Sequence, residues 1–436
     1  MPDTATSTDP AVQAQLDRLF AHGPGADTLG LDRITRLLAR LGDPHRHLPP
    51  VFHVAGTNGK GSTCAFLRAA LEAAGRSVHV YTSPHLVRFN ERIRLAGALI
   101  EDATLAPLLA EVLDVAEDLN ASFFEVTTAA AFLAFAREPA DACVVEVGLG
   151  GRLDATNVLP APAVCGIAGL GVDHQAFLGD TLAAIAAEKA GIAKCGVPLV
   201  TMDYDAPIND VIADLAKRAG APFYPAGRRW NLGANPRLRR VFISDEDGSI
   251  ALPFPEMAGD HQMANLALAA AMVRRQRAIE IPPAALKAAA TTACWPARMQ
   301  RLRPGPLAGM LPDEAELWID GAHNPSAALP VADTLAELAQ GRATTLVLGM
   351  LANKDAAGVL AALAPAVSQV IAVPTPGHTH HAPEYLASLA RNARLPAAIA
   401  PDLSAAVAQA DTPVVLIAGS LYLAGEALRL NDELPD

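Results

Sequence analysis

The sequence predicts an α/β protein: a mostly parallel sheet in a large N-terminal domain, followed by a smaller α/β domain with Rossmann-like alternation. Two observations carry this. Apolar, β-rich runs of strand length alternate with alanine- and leucine-rich helical stretches, and a glycine-rich turn joins the first strong strand to a helix. Strands that are apolar without alternation are covered on both faces, which is the mark of parallel sheets. At 436 residues the chain exceeds one usual domain, so two are expected.

Taken in order, residues 50–55 read as a strand, and residues 63–74 as a helix stopped by Gly75. Strands follow at 78–81, 142–147, 163–168 and 197–200, with helices at 105–119, 127–136 and 181–190 between them. Residues 237–255 alternate apolar and polar side chains, as a small antiparallel excursion would, and a helix at 262–277 comes next. The second half repeats the scheme with strands at 317–319, 345–349, 370–373 and 414–418. The Pro- and Gly-rich stretch 301–306 is the best hinge candidate. The expected division is therefore a nucleotide-binding domain over 1–297, a linker over 298–306 and a second domain over 307–436.

Composition narrows the partners. A net charge of −12 and a pI near 5.5 argue against nucleic acid or an anionic membrane, so any anionic substrate must be met by local positive groups. Five scattered cysteines, an odd number, fit a reducing compartment better than a disulfide framework. Cys143 and Cys165 sit in apolar runs as small core residues, and Cys64 is read as packing. The first ten residues lack a signal-peptide core, and no run of 18 apolar residues free of charge or breakers occurs. The expected location is the cytoplasm.

The chemistry centres on residues 53–63, His-Val-Ala-Gly-Thr-Asn-Gly-Lys-Gly-Ser-Thr. A glycine-rich turn at a helix N-terminus offers backbone N–H groups to phosphate. Lys60 then neutralises the β/γ-phosphates, and Ser62 or Thr63 places a hydroxyl on Mg²⁺. The spelling departs from the standard phosphate loop, because Gly61 separates the lysine from the serine. Glu146 closes an apolar strand where a Walker-B acid would sit, and a carboxylate there needs a partner such as Mg²⁺. Ser83 and His174 follow other strands, at the ends where α/β sheets collect ligands. Lys189 reads plainly as a solvated lysine near a helix C-terminus. Asp320, His323 and Asn324 read as the cap of a helix that Pro325 starts. Phe123 and Phe124 read as core, and His378, His380 and His381 as a solvated loop without zinc-ligand spacing.

The loop Gly-Thr-Asn-Gly-Lys-Gly-Ser resembles that of the Mur ligase superfamily, and its flanks resemble the folylpolyglutamate synthase/dihydrofolate synthase family. The resemblance runs through Leu41-Gly42, Ser83-Pro84-His85-Leu86, Glu91-Arg92-Ile93, Phe123-Phe124-Glu125 and the run Glu146 to Asn157. It continues with Asp173-His174, Glu188 to Gly191, His261-Gln262 with Asn265, Trp295 to Arg298, Asp320 to Pro325 and Gly419 to Tyr422. It implies ATP contacts from Thr57, Asn58, Gly59, Lys60, Gly61, Ser62 and Thr63, with Asn265, Arg298 and Asp320 reaching the nucleotide across a domain cleft. It implies catalytic roles for Lys60, Lys189, Arg298 and His323. It implies pteroate or folate contacts from Thr28, Leu29 and Gly30, from Ser122, Phe123, Phe124 and Glu125, and from Leu153, Asp154 and Ala155. The implied Mg²⁺ ligands are Ser62, Ser83, Glu146 and His174, with Lys189, as a carbamate, for a second Mg²⁺ or a K⁺.

The implied activity is ATP-dependent amide ligation: a carboxylate becomes an acyl phosphate, which the α-amine of L-glutamate attacks. The implied substrates are dihydropteroate and reduced folates, and the expected protein is a monomer without nucleic-acid or membrane partners. The rivals are a folylpolyglutamate synthase alone, another Mur-type ligase acting on a peptidoglycan precursor, and a nucleotide-binding regulator without ligase chemistry.

Overall fold

The computed structural model describes residues 6–22 and 29–436, and the chain divides into two compact units. One runs to Glu256 and takes in Gln262–Cys294; the other holds Met257–His261 and Trp295–Asp436. Among the described residues no helix is long and apolar enough to cross a membrane.

The first unit begins with helices α1 (Pro10–His22) and α2 (Asp32–Arg40), and α2 buries Ile34, Leu37 and Leu38 at the spacing of one helical face. Strand β1 (Val51–Ala55) leads into α3 (Lys60–Ala73), then β2 (Val78–Tyr81) and a short antiparallel pair, β3 (Ile93–Leu95) and β4 (Ala98–Leu99). Helices α4 (Asp102–Ala116) and α5 (Phe123–Arg137) precede β5 (Ala142–Glu146) and β6 (Val164–Ile167). A single turn, α6 (Gln175–Leu178), comes before α7 (Leu182–Ala190), β7 (Leu199–Thr201), α8 (Ala206–Ala219) and β8 (Phe223–Pro225). The sheet order is β4-β3-β2-β5-β1-β6-β7-β8, parallel from β2 through β8. Strand β1 is therefore central and buried at all five residues, which is why it carries no alternation. The register pairs Val54 with Glu146, so the acid leaves β5 at the end where β1 gives way to the glycine turn.

The polar-punctuated stretch is an antiparallel sheet of β9 (Trp230–Asn235), β10 (Arg240–Asp245) and β11 (Gly248–Pro253), and it starts earlier than the sequence predicts. It is tied to α9 (His261–Arg275) through Asp245, whose buried carboxylate accepts from Arg274 Nε at 2.7 Å and pairs with Arg275. Helix α10 (Pro283–Thr292) then packs on α3.

The second unit holds β12 (Gln300–Arg301), β13 (Glu316–Ile319), α11 (Pro325–Ala339), β14 (Thr344–Leu348), α12 (Ala356–Leu363) and β15 (Gln369–Ala372). It ends with α13 (Pro383–Asn392), β16 (Ala397–Ile399), α14 (Leu403–Gln409), β17 (Val414–Ala418) and α15 (Leu421–Leu430). Its sheet order is β12-β13-β17-β14-β15-β16, parallel except for β12. This corrects the linker expectation for residues 298–306. Gln300 and Arg301 pair with Ile319 and Trp318, Arg303 N donates to Glu433 at 3.0 Å, and Gly305 is packed against Asn431. Proline and glycine there serve close packing rather than a hinge.

The histidine loop is partly exposed, as its reading as a solvated loop expects, with its rings held by neighbours. His378 stacks on Tyr422 at 3.8 Å, and His380 and His381 bond the carbonyls of His378 and Lys354.

Removing the Asp245 carboxylate leaves two partly buried guanidinium groups against the small sheet. Asp245→Ala is expected to cost about 3–5 kcal/mol in denaturant unfolding. A change below about 1 kcal/mol, the range of exposed pairs, would show that Asp245 does not hold the sheet to α9.

Candidate active site

The phosphate loop turns from strand to helix in four residues, and the surroundings dictate its glycines. At Gly56 a Cβ would lie 2.9 Å from the Ala168 Cβ. Gly59 has φ of +82°, and a Cβ there would come within 2.3 Å of Asn265 Oδ1. Asn265 thus belongs to the same unit as the loop and packs directly on it, which corrects its expected placement across a cleft. The N–H groups of Thr57 and Asn58 both donate to Gly169 O, at 2.8 and 3.0 Å. These two donors hold the loop to the chain after β6 and are not offered to phosphate. The cradle falls instead to the first turn of α3, which begins at Lys60, three residues earlier than the sequence predicts.

Lys60 Nζ lies 3.8 Å from Glu146 Oε1 and 3.3 Å from Thr57 O. Glu146 is buried, and its other oxygen accepts from Ser83 N at 3.3 Å. Ser62 Oγ and Thr63 Oγ1 are buried without a hydrogen-bond partner, an unusual state for hydroxyls unless a ligand completes it. Two partnerless hydroxyls in the first turn of a helix whose Lys60 faces a buried carboxylate suit a hard divalent cation bound partly by phosphate oxygens and water. His174 lies exposed at the start of α6 in the left-handed region, with φ of 53°. Among the described residues no group of three or more His, Cys, Asp or Glu is arranged for a metal.

Lys189 is not the solvated lysine its sequence context suggests. It is 3% exposed, its Nζ donates to Gly56 O at 2.9 Å, and burial followed by the charge of Lys60 pushes its pKa down to about 7. A glycine-rich loop clamps the end of its helix. A Cβ on Gly151 would lie 2.8 Å from Glu188 O, and one on Gly191 would lie 2.4 Å from the Arg152 Cβ. Arg152 N donates to Glu188 O at 2.8 Å, and Asn157 Nδ2 to Gly191 O at 3.0 Å.

The residues expected at the pteroate line the beginning of α5 and the loop after β5. Ser122 and Glu125 form a capping box, and Glu125 Oε2 also accepts from Arg33 Nε at 2.9 Å. Glu125 Oε1 is buried with no partner. Phe123 stacks on Phe20 at 5.5 Å with the Arg92 guanidinium 5.3 Å away. The Phe124 ring lies against Gly148, where a Cβ would come within 2.3 Å of it. Leu153 is half-buried, while Asp154 and Ala155 are buried; burial pushes the Asp154 carboxyl up, against bonds to Thr156 and to backbone N–H groups. Leu29 and Gly30 are half-buried, with open space around Gly30, and Thr28 lies outside the described residues. Arg33 and the Gly169 carbonyl were not legible in sequence, because neither stands in a motif.

The second unit builds its own cluster around Arg298. Its neighbours Ala297 and Met299 have φ of 55° and 41°, strained for residues with a side chain. Asp320 holds this turn: its carboxylate is buried and accepts from Met299 N at 2.8 Å and Ala322 N at 2.7 Å. Burial pushes its pKa up, and Arg298 opposes that. Gly321 N donates to Ala297 O at 3.0 Å, and a Cβ on Gly321 would lie 2.8 Å from Arg298 Nη1. His323 Nδ1 bonds Gly321 O at 2.8 Å, and Asn324 caps α11. His261, which the sequence placed in a motif without a role, is pushed down by burial and is near enough to Asp320 and Arg298 to feel both charges.

A strand-to-helix phosphate loop, a lysine facing a strand-end acid and a second parallel sheet carrying an arginine turn suit a nucleotide-dependent enzyme, and the similarities to known proteins make the class a Mur-type ATP-dependent ligase. Residues 298–421 match the family model described as the Mur ligase, glutamate ligase domain. The chain is 34% identical to the dihydrofolate synthase/folylpolyglutamate synthase of Escherichia coli strain K12, over 93% of this chain and 92% of that one. It is likewise 34% identical to the folylpolyglutamate synthase of Lacticaseibacillus casei, over 90% and 92%. The E. coli FolC structure in complex with DHPP and ADP superposes with a TM-score of 0.87 at 31% identity, covering 98% of this chain and 99% of that one. A Yersinia pestis structure complexed with AMPPNP and Mn ion gives 0.84 at 32% identity, with the same coverage. The chain belongs to the folylpolyglutamate synthase/dihydrofolate synthase family.

Lys60→Ala and Glu146→Gln are each expected to lower kcat at least ~10²-fold, because each removes charge placed for the transition state. Thermal unfolding should move little. Full turnover in either variant would remove that residue from the catalytic groups.

Proposed function

We propose that the protein joins L-glutamate to dihydropteroate and, in a second reaction, to reduced folates, through an acyl phosphate made from ATP. The observation that carries this reading is Lys60, 3.8 Å from Glu146, beside the partnerless Ser62 hydroxyl at the start of α3. A free carboxylate is a poor electrophile, and transfer of the γ-phosphoryl group converts it into one with a leaving group. The α-amine of glutamate then adds to the acyl carbon, and phosphate departs. Lys60 and the first-turn N–H groups of α3 hold the phosphates in line and offset the negative charge that moves between oxygens. Ser62, Ser83, Glu146 and His174 are assigned to Mg²⁺, which when bound neutralises phosphate charge. Arg298 is assigned to the phosphates and Asn265, against Gly59, to the nucleoside. Phe123, Phe124 and the 153–155 loop are assigned to the pterin side, supported by the family and by the open space beside Gly30.

The same reading takes the protein as a cytoplasmic monomer without a nucleic-acid partner, supported by a net charge of −12 and five free cysteines. The test offers ATP and glutamate with dihydropteroate, tetrahydrofolate or a muramyl precursor in turn. Glutamate-dependent phosphate release and a product heavier by one glutamate residue are expected with the first two. Activity with only one of them reduces the protein to a single synthase, and activity with the muramyl precursor alone overturns the reading.

Lys189 is assigned to metal binding as a carbamate. Its depressed pKa leaves the amine increasingly neutral as pH rises through about 7, and a neutral amine adds carbon dioxide with loss of a proton. ¹³C NMR at fixed dissolved carbon dioxide should show a carbamate signal that grows across that range and is missing in Lys189→Ala. No such signal would leave Lys189 as an amine bound to Gly56.

A further inference from the structure

His53 lies three residues before Gly56 in the middle of the central strand, where an apolar side chain would be expected. It is fully buried, and its Nε2 is 2.9 Å from Thr156 Oγ1. The Thr156 hydroxyl in turn donates to Asp154 Oδ1 at 2.5 Å. A hydroxyl has one proton, so with that proton on the Asp154 side its oxygen must accept from His53. This fixes His53 as the Nε2–H tautomer and leaves Nδ1 as the lone-pair nitrogen, which is the ring atom without a partner. Burial keeps the imidazole neutral, pushing its pKa down to about 3.

The chain continues beyond Asp154. Oδ1 also accepts from Thr156 N at 3.0 Å, Oδ2 accepts from Leu149 N at 2.8 Å, and Gly148 N–H bonds the same carboxylate. Gly148 is the residue against which the Phe124 ring packs, and Gly151 abuts the backbone of Glu188 and Lys189. One buried polar chain therefore runs from the strand that delivers the phosphate loop to the loop that seats Phe124 and the end of the Lys189 helix.

We infer that His53 and Thr156 are positioning residues for the pterin side of the site, acting through the Asp154 carboxylate. The inference rests on the folate reading of the 153–155 loop above. With its oxygens taken by His53-backed Thr156 and by N–H groups of its own loop, Asp154 fixes where that loop lies. An apolar strand residue at position 53 would leave the buried Thr156 oxygen without its donor, weakening the anchor on Asp154 and leaving the loop free to shift.

The test uses the full chain and follows KM for dihydropteroate, KM for ATP, equilibrium binding of dihydropteroate by protein fluorescence, and Tm. Thr156→Val is expected to raise the dihydropteroate KM and Kd by about tenfold, the weight of one hydrogen bond to a buried charge, with ATP KM changed by less than about twofold. Thr156→Ser should restore both. His53→Gln places an amide N–H near the Nε2 position and should bind dihydropteroate like wild type. His53→Asn, which reaches only the Nδ1 position, should behave like Thr156→Val. This pair keeps the test alive even where Thr156→Val folds poorly. Equal shifts in both KM values, or His53→Asn matching His53→Gln, would make these contacts merely structural and overturn the inference. Wild-type protein that neither binds nor turns over dihydropteroate or a reduced folate would overturn the folate reading and the inference together. Wild-type activity with an unaltered Thr156→Val would overturn the inference alone.

Discussion

The first unit depends on the tight turn from β1 into α3. Gly56 and Gly59 stand where any side chain would strike Ala168 or Asn265, and the Thr57 and Asn58 amides are spent on Gly169 O. That arrangement pulls the end of β1 onto the end of β6 and swings α3 so that its first turn faces outward from the sheet's carboxyl edge. The open donors of a helix N-terminus are then available with no loop of their own to satisfy. From below, the Lys189 amine holds Gly56 O at 2.9 Å. A looser turn would lose the aim of Lys60 and the packing over Lys189 together.

Charge in this acidic protein is handled locally. Lys60 and Glu146 are both largely buried and share one short region with Lys189, whose pKa is driven down partly by Lys60. Burial is the larger cause and the neighbouring Lys60 charge adds to it, both weakening the hold of the Lys189 amine on its proton. Lys60 faces the Glu146 carboxylate, whereas the Lys189 amine has the Gly56 carbonyl. The difference between the two lysines follows from depth and neighbours, since the side chains are chemically identical.

The second unit uses backbone strain instead. Ala297 and Met299 occupy left-handed conformations on either side of Arg298, and Asp320 fastens Met299 and Ala322 to one buried carboxylate. Such conformations persist only where surrounding contacts over-determine them. The resemblance gave Asp320 to the nucleotide; the structure gives both of its oxygens backbone partners that set the Arg298 turn.

By itself the sequence determined the alternation of strands and helices, the parallel character of the main sheet, the phosphate loop and the strand-end acid. These are local facts: apolar runs without alternation mean burial on two faces, and a glycine-rich turn before a helix means open N–H groups. The family was also legible, because its motifs are contiguous. Tertiary structure alone decided which groups were already occupied. Nothing near Thr57 and Asn58 in sequence signals Gly169, over a hundred residues away, as the acceptor of their amides. Lys189 reads as solvated until the Gly150–Gly151 loop covers it. The stretch 301–306 reads as a hinge until β13 and Asn431 claim it. Asn265 and His53 gain their roles only through partners that long-range packing brings to them. Hydrogen bonding is satisfied across space, and spacing along a chain does not record it.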